Sequence, residues 1–196
     1  MRLVTIYQTL EDRENYKEVE DHGPYFCAAH DENGQLKKGT KEPWLGEGYY
    51  FWDTRKTDAQ WWGKVIYESH FKGYVICETQ YDQHSPLLFD LLGNVSHMIE
   101  FEECALDIYK KTRKNRISVP YVLGVLRKGK GFLYKAVRAW PDPQLNVYNP
   151  QLESFFPGNK AVIRKLDKVQ ICFFDKTLLD SKFQITEKHP FTNYTI

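Results

Sequence analysis

The sequence predicts an α+β fold, because its strand-like segments lie near both ends of the chain and most helix-like segments lie between them. The length of 196 residues fits one domain. Hydrophobic residues make up 42% of the chain and aromatic residues 15%. That is enough apolar surface for a core, and disordered chains are poor in aromatics. We therefore expect a single domain over residues 1–196, with a helical insertion at about 86–130.

The first forty residues divide at turn signals. Residues 2–10 alternate as a half-buried strand does, and the highly charged segment 11–21 is typical of an exposed helix. Gly23-Pro24 stops that helix. Tyr25 to Ala29 is a short strand candidate, and the polar segment 31–41 is expected to be a loop.

The next predicted elements are a helix and a strand. The helix is expected to begin near Asp53 or Thr54, either of which can cap it, and to end by Gly73. The strand covers residues 74–79. The helix is indicated by apolar residues at helical spacing, namely Ala59, Trp62, Val65 and Ile66.

The second half of the sequence is predicted to form helices and then strands. The stretch 86–128 looks helical, and Ser118-Val119-Pro120 opens a second helix within it with a good cap and an early proline. Late strands are expected at 132–140, 168–175 and 182–186. The first of the two helices carries an apolar stripe of Met98, Ile99, Phe101, Ala105, Ile108 and Tyr109.

Composition limits the cellular setting and the partners. The formal net charge of +1 indicates no partner class. The chain has no apolar run of about 18 residues and no signal-peptide pattern, so we expect no membrane contact. Cys77 and Cys172 lie in apolar runs and read as buried free thiols, which favours a reducing cytoplasm. His22, Cys27 and His30 do not match a four-ligand zinc pattern, so no metal is expected.

The densest segment is Trp44-Leu45-Gly46-Glu47-Gly48-Tyr49-Tyr50-Phe51-Trp52. Its two glycines allow a tight turn or a close approach to a ligand. In a strand, Tyr50 and Trp52 share one face while Tyr49 and Phe51 share the other. One face can line a cleft, and a helix that starts directly afterwards would point its first amides towards that cleft, where an anion can bind. The alternative is a hydrophobic strand after a glycine turn.

Gly46 to Phe51, followed nine residues after Tyr50 by Ala59, resembles the central motif of the His-Tyr-Glu class of ADP-ribosyltransferases. This class includes the poly-ADP-ribose polymerases and many bacterial toxins. The resemblance implies an ADP-ribosyltransferase-like split β-sheet core, NAD as co-substrate, and a Tyr50 side chain that stacks on nicotinamide. It also implies that Gly46, Gly48, Ala59 and Trp62 belong to the NAD-binding region.

Two other segments correspond to the family's first and third motifs. Tyr7-Gln8-Thr9 ends the first strand where the family has a histidine, and glutamine can still hydrogen-bond a ribose hydroxyl. The third motif is a glutamate that opens a late strand. Here Gln170 occupies or neighbours that position, and Glu153 is the nearest upstream carboxylate.

The implied reaction breaks the nicotinamide–ribose bond through an oxocarbenium-like transition state, which a nearby carboxylate stabilises. We therefore assign catalytic roles to Tyr50, Gln170 and Glu153, and NAD binding to Tyr7, Gln8 and Thr9 as well. The expected function is transfer of ADP-ribose to a macromolecule, in a bacterial toxin or defence setting. A non-catalytic nucleotide or nucleic-acid binding module and a protein-interaction domain remain alternatives.

The segment from Lys110 to Lys130 is basic and contains no acidic residue. It can dock a nucleic-acid acceptor through phosphates, or it can be a solvated loop between two helices. The expected partners are therefore NAD and a protein or nucleic-acid acceptor, with an antitoxin if the toxin setting holds.

Overall fold

The computed structural model describes residues 2–113, 117–141, 166–180 and 182–191. In these residues seven strands form one mixed sheet with the order β4-β5-β6-β2-β1-β3-β7. The β4–β5 pair is parallel and the other pairs are antiparallel. The strands are β1 (Leu3–Glu11), β2 (Tyr49–Asp53), β3 (Tyr74–Asp82), β4 (Leu88–Asp90), β5 (Ala136–Ala139), β6 (Gln170–Phe173) and β7 (Gln184–His189).

Helices cover both faces of the sheet, and the alternation of side chains decides which residues each helix meets. On one face α1 adds Val19 to a core that includes Ile6, Phe51 and Phe173. On the other face α2 packs over β1 and β3, while α3 and α4 lie over β4 to β6. The helices are α1 (Tyr16–His22), α2 (Lys56–Ile66), α3 (Val95–Thr112) and α4 (Val119–Leu126), with a short 3-10 turn at Glu68–His70.

The mixture of helices and strands confirms the predicted α+β class. The strands predicted near both ends of the chain and the loop over 31–41 are also confirmed. The helix predicted to be capped by Ser118 is confirmed too, since the Ser118 hydroxyl accepts a hydrogen bond from Tyr121 N. Cys77 and Cys172 are buried free thiols, as expected. The split-sheet fold of the ADP-ribosyltransferases remains a prediction.

Three expectations about the first half of the chain are wrong. The charged helix starts only at Tyr16. Residues 25–29 form no strand, and Cys27 makes an isolated bridge to Gly48. Helix α2 begins at Lys56 without a side-chain cap. Asp53 cannot cap it because this residue ends β2 and its carboxylate binds Arg138.

The expected helical insertion at 86–130 also needs correction, because β4 lies within it. Leu88 and Phe89 are buried and pair in parallel with β5, so tertiary pairing overrides the local pattern. The apolar stripe of α3 divides between two faces. Ile108 is buried and Phe101 packs on the core, whereas Met98, Ile99 and Tyr109 are exposed.

Strands β1 and β2 diverge after a very short ladder. Ile6 pairs with Asp53 and Tyr7 pairs with Trp52, and no further pair joins the two strands. On its other edge β2 stays paired with β6, where Trp52 lies opposite Gln170. The divergence opens the sheet beside Tyr50 and leaves room for a cleft.

Candidate functional site

A cleft of about 380 Å³ opens where β1 and β2 diverge. Of the residues predicted from the sequence, Gln8, Thr9, Tyr50, Trp62 and Gln170 line it together. The remaining lining is mostly aromatic and comprises Leu10, Tyr25, Phe26, Cys27, Pro43, Trp44, Phe51, Trp52 and Tyr67.

Tyr50 lies on the cleft side of β2, as the strand alternation predicts. Its hydroxyl donates a hydrogen bond to Gly46 O at 2.7 Å and accepts one from Leu45 N at 2.9 Å. Burial raises the pKa of this hydroxyl well above its usual value. The phenol therefore stays neutral and fixes the Leu45–Gly46 turn, while its ring contributes to the cleft wall.

The two glycines of the central segment have different roles, and neither lines the cleft. Gly46 has a φ of 82°, a left-handed conformation that glycine adopts without strain. A Cβ at Gly48 would lie 2.5 Å from Cys172 Sγ and 2.5 Å from Phe173 O. The glycine at position 48 therefore allows a close approach of the backbone to strand β6, and not to a ligand.

Gln8 bridges the gap between the diverging strands. Its side-chain amide accepts from Tyr25 N at 3.0 Å and donates to Tyr25 O at 3.1 Å and Tyr50 O at 3.2 Å. Only 7% of the residue is exposed. The amide thus replaces a missing peptide pair of the sheet, which a sequence pattern does not reveal.

Replacing Gln8 with leucine should lower the free energy of unfolding by about 1 to 3 kcal/mol, because the backbone groups of Tyr25 and Tyr50 lose buried partners. Urea denaturation measures this change. Gln80→Leu is the matched control, since Gln80 is exposed on β3 and should change stability by less than about 0.5 kcal/mol. Equal effects of the two substitutions would contradict the bridging role.

Three other predicted residues, on β1 and α2, contribute mainly to packing beside the cleft. Thr9 donates from its hydroxyl to Ala59 O at 2.9 Å, which ties β1 to α2. Ala59 is fully buried in that contact and does not reach the cleft. Tyr7 also lies outside the lining, under α2, with Lys56 Nζ 5.6 Å from its ring centre.

Gln170 and Trp44 form the opposite wall. Trp44 Nε1 donates to Gln170 Oε1 at 2.5 Å, across 126 positions of sequence. Among the described residues, Gln170 Nε2 makes no hydrogen bond, so this amide group can donate to a ligand. Trp44 was missed as a site residue, although it stands at the start of the aromatic segment. Glu153 lies outside the described residues.

The expected anion site at the start of α2 is wrong. Trp62 of α2 and the following Tyr67 line the cleft, whereas no residue of the first turn of α2 does. Near that first turn, buried Asp58 already accepts a hydrogen bond from Lys168 N at 2.7 Å. A carboxylate at this position opposes anion binding.

The cleft and a second, smaller cavity differ in the charge of the side chains that line them. No charged side chain lines the cleft in the described part of the chain. The second cavity, of about 180 Å³, lies beyond Gly46 and is lined by Arg127, His30, Glu42 and Glu47 among others. Glu47 accepts from the backbone N–H groups of Ala29 and His30, and the latter hydrogen bond contributes most to lowering the pKa of Glu47.

No protein-family model matches the chain, and neither does any curated protein or solved structure.

In the residues that the structure describes, every helix is too short or too polar to cross a membrane.

Proposed function

We propose that this chain is an NAD-dependent, ADP-ribosyltransferase-like protein that binds NAD in the aromatic cleft and transfers ADP-ribose to a macromolecule. One observation carries the proposal. The three segments that resemble the family's motifs lie on adjacent strands, β1, β2 and β6, and they contribute Gln8, Tyr50 and Gln170 to one cleft. These residues are far apart in sequence, so chance resemblance of single segments would not bring them together.

The lining suits the nicotinamide end of NAD. The nicotinamide ring is flat and carries positive charge in NAD, and the faces of aromatic rings attract such a group by stacking and cation–π interaction. Tyr50, Trp52 and Trp62 supply the aromatic surface. Since the amide of Gln8 is occupied by backbone partners, Gln170 is better placed to donate to a ribose hydroxyl.

Bond cleavage requires stabilisation of developing positive charge on the ribose. The described lining offers no carboxylate for this purpose. We propose Glu153, which lies outside the described residues, as the carboxylate that stabilises this positive charge, and nicotinamide departs as a neutral leaving group. ADP-ribose then bonds to a nucleophile of the acceptor, which loses a proton.

Release of nicotinamide from NAD tests the proposal, with and without cell lysate as a source of acceptor. We expect release by the wild type, a smaller loss in Tyr50→Phe, which keeps the ring but removes the hydroxyl that holds the Leu45–Gly46 turn, and a loss of at least about 100-fold in Tyr50→Ala, which removes the ring that orients the leaving group. Tyr16→Ala is the matched control, since Tyr16 packs on the other face of the sheet. Equal activity in Tyr50→Ala and Tyr16→Ala would refute the site assignment.

A second candidate function is a non-catalytic nucleotide-binding module. The neutral lining of the cleft in the described residues favours it, because binding a flat ring requires no carboxylate. Calorimetric binding of an NAD analogue without any nicotinamide release would support this candidate over the enzyme. Absence of both binding and release would exclude both.

A further inference from the structure

The indole of Trp44 determines which way the amide group of Gln170 is turned. Trp44 Nε1 donates to Gln170 Oε1 at 2.5 Å. An indole N–H can only donate a hydrogen bond, so the amide has to present its oxygen to Trp44 and not its NH2 group. The N–H donors of Gln170 are therefore left for another partner.

The backbone of Gln170 is already fixed from both sides. On β6 this residue lies opposite Trp52 of β2 and opposite Ala139 of β5, in the interior of the sheet. The freedom that remains is rotation of the side chain about its single bonds. Trp44 removes that freedom, because an amide turned the other way would set its NH2 group against the indole N–H, donor against donor.

Trp44 is itself held by the turn that contains it. Gly46 N donates to Pro43 O at 2.8 Å. Leu45 N donates to the Tyr50 hydroxyl at 2.9 Å, and the Leu45 side chain is fully buried. The indole therefore reaches its acceptor from a backbone segment that is anchored on both sides of it.

The N–H donors of Gln170 have no acceptor among the described residues, although Gln170 lines the cleft. The amide of Gln8, which also lines the cleft, is occupied by backbone groups. A ligand satisfies the donors of Gln170 only with an acceptor atom, such as a hydroxyl or carbonyl oxygen. An ammonium group at the same place would set donor against donor and lose its hydrogen bonds to water.

We propose that Trp44 is a positioning residue, which holds Gln170 as a hydrogen-bond donor and so makes the cleft select a ligand with an acceptor oxygen at this point. The inference rests on the proposed binding of NAD, whose nicotinamide ribose carries hydroxyl oxygens that can accept. Trp44 then contributes to affinity through the orientation of Gln170, in addition to the surface of its ring.

Calorimetric binding of carba-NAD tests the proposal without bond cleavage, because a methylene group replaces the oxygen of the nicotinamide ribose ring in this analogue. Trp44→Phe keeps an aromatic ring but loses the indole N–H, and we expect it to weaken binding about five- to tenfold. Trp140→Phe is the matched control and should bind nearly as tightly as the wild type. Trp140 lies outside the cleft lining, and its Nε1 has no hydrogen-bond partner in the described part of the chain.

A double-mutant cycle separates positioning from simple packing. Gln170→Leu should weaken binding of carba-NAD about tenfold. Adding Trp44→Phe to Gln170→Leu should weaken it no further, because Trp44 then has no amide to orient. Circular dichroism checks that each variant is folded. Additive losses would mean that Trp44 acts through its ring alone, and they would overturn the proposal.

The indole N–H resonance of Trp44 provides a readout without any ligand. In isotope-labelled protein it is identified by its loss in Trp44→Phe, and it should move upfield in Gln170→Leu because its acceptor is gone. An unchanged resonance would refute the hydrogen bond on which the proposal depends. If the wild type and Trp44→Phe bind carba-NAD equally, only the positioning role fails. A wild type that does not bind carba-NAD would refute NAD binding itself, and the positioning role with it.

Discussion

Replacing Arg138 with methionine should lower the free energy of unfolding by about 3 to 5 kcal/mol at neutral pH, because it leaves a buried carboxylate without its cation. Arg138 Nε donates to Asp53 Oδ2 at 2.7 Å, and its Nη1 donates to Asp90 Oδ2 at 3.2 Å. The Asp53 side chain is 2% exposed and the Arg138 side chain 14%. Urea denaturation measures the loss.

The loss should depend on pH in a defined direction. Burial raises the pKa of Asp53 above its usual value, and Arg138 opposes that rise. A group with a raised folded pKa contributes stability below its unfolded pKa and loses that contribution as the pH rises through the folded pKa. Without Arg138 the pKa of Asp53 rises further, so the Arg138→Met penalty should be smaller in acid than at neutral pH.

Two controls make the Arg138 result interpretable. Arg13→Met removes an exposed arginine that pairs with Glu11 and should cost less than about 1 kcal/mol. The double variant Asp53→Leu with Arg138→Met removes the buried Asp53–Arg138 pair and should recover part of the stability, since only Asp90 then lacks its cation. A single variant as stable as the wild type at neutral pH would show that Asp53 is not a buried charge that depends on Arg138.

Replacing Gly48 with alanine should cost about 2 to 3 kcal/mol, because the new methyl group meets atoms that cannot move aside cheaply. One of them, Phe173 O, belongs to the backbone of β6, and the other is the buried sulfur of Cys172. The clash lies where β2 pairs with β6, so we also expect weaker binding of NAD in the neighbouring cleft. Thermal unfolding and calorimetric binding measure the two effects.

Gly46→Ala provides the comparison within the same motif. A Cβ at Gly46 has 4.0 Å of clearance from Arg127, so its cost is the left-handed conformation alone, about 1 kcal/mol. We therefore expect Gly48→Ala to be the more destabilised variant. The reverse order would mean that the turn, and not the approach to β6, limits substitution in this motif.

The local elements of this fold were predictable where the pattern is itself local. Side chains alternate along any strand, so the shared face of Tyr50 and Trp52 followed from the sequence. Ser118 caps α4 because its hydroxyl needs only a backbone N–H three residues away. Strand β4 was not predicted, because three residues are too few to show the alternation of a strand within a stretch that has helical spacing.

By itself, the sequence determined the α+β class, the buried thiols and the set of residues proposed for the site. Only the tertiary structure decided which of them meet. Strand order brings Trp44 to Gln170, packing leaves the first turn of α2 outside the cleft, and the divergence of β1 from β2 leaves Gln8 hydrogen-bonded to backbone groups. These contacts join residues 17 to 126 positions apart. Their geometry follows from the packing of whole elements, which no local spacing specifies.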